Sequence, residues 1–85
     1  MRTILVISMF RYAVEKKVKE INKGVPTDNR TFRVIAIKAQ PNEIEKAIEG
    51  KQFDYAFIDK FYEMDEVNII RGHITGLQKN QIKRF

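Results

Sequence analysis

The sequence predicts a small α/β domain: three layers built on a four-stranded, mostly parallel sheet in the order 2-1-3-4, flavodoxin-like in outline. Apolar, β-branched segments alternate with segments of helical periodicity, which is the pattern of a parallel sheet covered by helices. The two most apolar segments, TILVI and YAFI, carry no polar alternation, as expected of strands buried on both faces. Right-handed crossovers then place those two strands at the centre. The alternative is a ferredoxin-like α+β sandwich. Its helices would cover one face only, so its strands should alternate, and these do not.

Residues 3–7 (TILVI) form the first strand, with Ser8 placed to cap the helix that follows. Phe10, Ala13, Val14, Val18 and Ile21 recur as one helical stripe. Gly24 closes that helix and Pro26 prevents its continuation into the polar loop 25–31 (VPTDNRT). Residues 32–39 (FRVIAIKA) read as a second strand, and Arg33 and Lys38 suit it to an edge. Pro41 opens a second helix, with Glu43 near its positive end, inner residues Ile44, Ala47 and Ile48, and Gly50 as the stop. Residues 54–59 (DYAFID) give the third strand, followed by a short helical segment over 60–66. Residues 67–71 (VNIIR) read as a fourth, edge-like strand. Ile74, Leu77, Ile82 and Phe85 suggest one face of a terminal helix, which Gly76 weakens.

Eighty-five residues make a single domain over 1–85. No apolar run approaches the ~20 residues that a membrane span needs, and no secretory leader is evident, so the expectation is a cytoplasmic protein. The absence of Cys removes disulfides, thiolate chemistry and Cys-ligated zinc. The single His leaves no His-based metal cluster, and the four Gly are too scattered for a phosphate-binding loop. No cofactor, metal or catalytic set is expected, and the protein reads as a non-enzyme. Lysine and isoleucine richness is compatible with an AT-rich bacterial or phage genome.

The formal charge of +5 is unevenly distributed. Residues 1–40 carry nine basic and three acidic side chains, residues 41–66 three basic and eight acidic, and residues 67–85 four basic and no acidic. Such blocks either solvate helix surfaces or attract an anionic partner.

In an open α/β sheet, ligands bind beyond the carboxyl ends of the strands at the topological switch point. Here that point brings Ser8, Arg11 and Tyr12 together with Asp59, Lys60, Phe61 and Tyr62. Arg71 and His73 join them at the end of the expected fourth strand. Asp59 is the sharpest candidate, because an acid closing an apolar strand must be paired or solvated. It is placed to accept phosphate, hold a metal or cap the next short helix.

Two family resemblances attach to these residues. The stretch 53–66 (FDYAFIDKFYEMDE) resembles the third strand and following loop of a response-regulator receiver domain, with Asp59 at the phospho-acceptor position, and 41–50 resembles the helix before it. The places of the receiver's paired acids are taken by Ile7, Ser8 and Met9. The 2-1-3-4 architecture is also similar to the small IIB domains of sugar phosphotransferase systems. Their phosphorylated Cys falls in the loop that here reads Ser8-Met9-Phe10-Arg11-Tyr12. Both resemblances imply an ancestral phosphotransfer function and, in this chain, a degenerate phospho-acceptor domain.

The function expected is a non-catalytic regulatory or adaptor module binding a protein partner through Ser8, Arg11, Tyr12, Asp59, Lys60, Phe61, Tyr62, Arg71 and His73. Aromatic and Met side chains beyond what the core needs are interface material, and an exposed 67–71 edge would allow a homodimer. The alternative is nucleic-acid binding through Arg2, Arg30, Arg33, Lys38, Lys79, Lys83 and Arg84, provided they share a face.

Overall fold

The computed structural model describes residues 2–24, 32–76 and 79–85. In chain order these form β1 (Arg2–Ser8), α1 (Arg11–Gly24), β2 (Phe32–Lys38), a 3-10 turn (Pro41–Glu43) leading into α2 (Ile44–Ala47), β3 (Tyr55–Ile58), α3 (Met64–Arg71), a second 3-10 turn (Lys79–Gln81) and β4 (Ile82–Arg84). The expected loop 25–31 lies outside the described residues.

The sheet order is β2-β1-β3-β4, and every pair is parallel. Ile4 pairs with Val34 on one side and Tyr55 on the other, and Ile58 pairs with Ile7 and Arg84. Alternation of side chains along each strand divides the apolar residues between two cores. Leu5, Ile7, Ala56 and Ile58 pack with Ile44 and Ile48 of the α2 segment and Val67 and Ile70 of α3. Ile4 and Val6 pack with Val14, Val18 and Ile21 of α1. Helices therefore lie on both faces, which excludes the ferredoxin-like alternative. Complete burial of Leu5, Ile7, Ile44, Ile58 and Ile70 stabilises the fold by about 1.5–3 kcal/mol per side chain.

Three expectations fail in the last third of the chain. Residues 67–71 are the end of α3 rather than a strand. Their β-branched content suggested a strand, but helix initiation decides the outcome. Glu66 Oε1 accepts the Glu63 backbone N–H at 2.8 Å, and Asp65 and Glu66 occupy the first turn, where carboxylates meet the positive helix end. Helix thus begins at Met64, and residues 60–62 before it form a turn. The fourth strand is Ile82–Arg84, where a terminal helix was expected. A gap of five residues between Leu77 and Ile82 does not keep a helical face in line. Consequently 67–71 offers no edge for a homodimer; the sheet edges are β2 and β4.

Gly50 closes the α2 segment at φ 74. A side chain in that left-handed conformation would clash with the following carbonyl, which explains why glycine turns the chain towards β3 here.

Candidate functional site

The carboxyl ends of β1 and β3 lie side by side, and their first polar residues meet. The Ser8 hydroxyl donates to Asp59 Oδ2 and accepts the Phe10 backbone N–H at 3.0 Å. Asp59 Oδ1 accepts the Phe61 N–H at 2.8 Å. Ser8 is fully buried and Asp59 nearly so. Both carboxylate oxygens are thus satisfied by the loops they organise, which offsets the cost of burying the acid. Neither residue caps a helix as expected: Ser8 bonds an N–H upstream of α1, and Asp59 forms a two-residue turn well before α3.

This arrangement projects aromatic rings outward. Phe10 and Phe61 meet edge to face with centroids 5.8 Å apart, and Phe10 and Tyr12 lie 6.1 Å apart. Edge-to-face geometry suits the ring quadrupoles. Phe61 is 63% exposed and Tyr12 72%, with Phe10 and Met64 also exposed. The helical stripe placed Phe10 in the core; instead it lies just before the first helical residue and turns to the rim. Arg11, exposed at the first position of α1, sets a cation at the positive helix end. That placement is electrostatically unfavourable within the chain.

The loop after β3 is fastened from its far side by β4. The Lys60 N–H donates to the Phe85 carbonyl at 2.6 Å. One guanidinium nitrogen of Arg84 donates to the Tyr62 carbonyl at 2.6 Å and the Asp59 carbonyl at 3.1 Å. Lys17 extends from α1 over the rings of Phe57 (5.5 Å) and Phe85 (5.3 Å), an arrangement favourable to a cation and two π-faces.

No protein-family model, curated protein or solved structure matches this chain. The candidate site therefore stands on its own residues and geometry.

The structure brings together Ser8, Arg11, Tyr12, Asp59, Lys60 and Phe61, and it separates three others from them. Tyr62 is a core residue: it is 3% exposed, and its hydroxyl donates to the Ala39 carbonyl at 2.5 Å. Burial, followed by the carboxylates of Asp59, Glu66 and Glu43, pushes its phenol well above the usual range. Arg71 and His73 lie at the opposite end of the sheet, because α3 returns the chain to the start of β3. There Phe53 N–H donates to the His73 carbonyl at 2.8 Å, and His73 Nδ1 lies 2.8 Å from the Lys51 carbonyl.

The basic residues of the nucleic-acid alternative do not share one face. Strand alternation puts Arg2, Lys38 and Lys83 on the α1 side of the sheet, and Arg33 and Arg84 on the other. Arg2 donates to the Tyr55 hydroxyl at 2.7 Å, and Arg84 is held by the two carbonyls. Arg30 and the Lys79 side chain lie outside the described residues. Among the described residues no cluster of three or more His, Cys, Asp or Glu is arranged to hold a metal, and no helix is long and apolar enough to cross a membrane.

Sequence reasoning missed the fastening role of Arg84 and the contribution of Phe57, and it placed Phe85 on a terminal helix. The available signal was the run 82–85, in which Ile82 and Arg84 alternate with Lys83 and Phe85. Three strand residues are too few for that alternation to stand out.

Proposed function

We propose that the protein is a non-catalytic regulatory or adaptor module that binds another protein at the carboxyl ends of β1 and β3. The observation carrying this reading is the exposure of Phe10, Tyr12 and Phe61 as one cluster, beside Arg11 and Lys60 and above a buried, fully bonded Ser8–Asp59 pair. Exposed aromatics with an adjacent arginine are the composition of interface hot spots. Such rings are costly to leave in water and contribute no core packing at this exposure. The Ser8–Asp59 bond holds the two loops in place, so little ordering entropy is lost when a partner docks.

The degenerate phospho-acceptor reading has weaker support, since Asp59 is buried and both of its oxygens accept hydrogen bonds. Nucleic-acid binding draws on the basic α1 side of the sheet and predicts affinity that falls steeply with salt.

The test is retrieval with the tagged full chain. A stoichiometric protein is expected with the wild type, and its loss is expected with Arg11→Glu and with Phe61→Ser, neither of which should lower thermal stability appreciably. Retrieval that both variants leave intact overturns the assignment of this surface.

A further inference from the structure

Beside the aromatic cluster, a groove of about 350 Å³ opens between α1 and the loop after β3. Phe10, Phe61 and Phe85 line it together with Lys16, Lys17 and Lys60, and two carboxylates also border it: Glu20, which pairs with Lys17, and Asp59, whose oxygens both accept hydrogen bonds. Its volume is near the lower end of the roughly 300–1,000 Å³ typical of ligand cavities, enough for one bulky side chain and the backbone carrying it. Among the described residues, Lys17 pairs with Glu20 at 3.6 Å, while Arg11, Lys16 and Lys60 pair with no carboxylate. The wider charge distribution has the same sense. α1, with five basic and two acidic residues, covers this side of the sheet. The acid-rich stretch 41–66 supplies α2 and the start of α3, which pack on the other.

We propose that this groove takes an acidic segment of a partner protein carrying one bulky apolar side chain. The inference rests on the partner-binding reading above and specifies the chemistry of the partner. The apolar side chain enters between the three phenylalanines, while its acidic neighbours meet Lys16 and Lys60. Exposed ion pairs contribute little individually, so the anchor supplies most of the affinity and the charges supply orientation, association rate and selection. A single-stranded nucleic acid fits less well. Bases stack on open ring faces, whereas Phe10 and Phe61 face each other edge to face and Lys17 lies over Phe85.

The experiment is fluorescence anisotropy on the full chain with four labelled probes. These are a peptide of Asp and Glu around one Trp, the same peptide with Ala for Trp, a Lys/Arg counterpart retaining the Trp, and an oligothymidylate of matched length. Saturable binding of the acidic Trp peptide is expected. It should weaken by about tenfold or more, which corresponds to about 1.4 kcal/mol, on loss of the Trp and in the doubly substituted Lys16→Glu, Lys60→Glu protein. That protein should bind the Lys/Arg peptide more tightly than the wild type does. Circular dichroism and thermal unfolding check that each variant folds. The proposal is overturned if the acidic peptide does not saturate, if the lysine substitutions leave its binding unchanged, or if the oligothymidylate binds more tightly. If the peptides fail while wild type, but not Phe61→Ser, still retrieves a stoichiometric protein, the acidic occupant is wrong and the partner-binding surface stands. If both experiments fail, both readings fall.

Discussion

Ser8 at the end of β1 and Asp59 at the end of β3 share a hydrogen bond in the interior of the protein, at a sequence separation of 51. Each also bonds a backbone N–H in the loop that carries an exposed phenylalanine. The two central strands are thereby joined where they deliver the aromatic rim.

Ser8→Ala leaves Asp59 Oδ2 buried without its donor, and destabilisation of about 1–3 kcal/mol is expected. Asp59→Ala should cost at least as much. The double variant should fall short of the sum by about 1 kcal/mol or more, because the two side chains share one interaction. Urea unfolding of the four proteins measures this, and strict additivity would show that the bond contributes nothing.

Tyr62 links stability to alkaline pH. The folded-state pKa is raised, so above the ordinary phenol value near 10 the unfolded chain releases a proton that the folded chain retains. Stability from this group is complete below that pH and declines as pH rises above it. Tyr62→Phe should cost about 1–3 kcal/mol at neutral pH by leaving the Ala39 carbonyl unbonded, and should flatten the alkaline decline. An equally steep decline in the variant would place its origin elsewhere.

Arg84→Met keeps much of the side-chain volume and removes the donor to the Tyr62 and Asp59 carbonyls. A loss of about 1–2 kcal/mol is expected for a charged donor that is partly solvated. The local consequence is more informative: amide hydrogens of residues 60–62 should exchange faster than in wild type by a larger factor than those of α1. Uniform acceleration across the chain would indicate global destabilisation alone.

At the rim, stability and binding should separate. Tyr12→Ser and Phe61→Ser remove mostly exposed surface, so unfolding free energy should change by only about 0.5 kcal/mol, while partner retrieval is lost. A large drop in thermal midpoint would mean that these rings belong to the fold.

The parallel 2-1-3-4 sheet was legible because ILVI and YAFI are each apolar on both faces, and only helices on both sides bury such strands. The adjacency of Ser8 and Asp59 followed from that topology. Residues 67–71 misled because Val and Ile favour strands by the fit of their side chains, whereas the Glu63/Glu66 pair sets a helix start. Assigning those residues to a strand also misplaced Arg71 and His73, since a strand would have carried them to the carboxyl end and a helix carries them back. Tyr62 was read as a partner-binding residue because the aromatics exceed what a core of this size needs, and nothing in its own position signals the Ala39 carbonyl that draws it inward.

The all-parallel pairing has a consequence for synthesis. Among the described residues no strand folds back on its immediate successor as a hairpin, since parallel neighbours require a crossover. Closing such long loops costs entropy before any contact compensates it. During translation the first strand therefore emerges greasy and unpartnered, and it cannot gain both neighbours until the third has left the ribosome. For that interval the nascent chain carries the apolar run 4–7 uncovered, and any holding chaperone should find a binding site there.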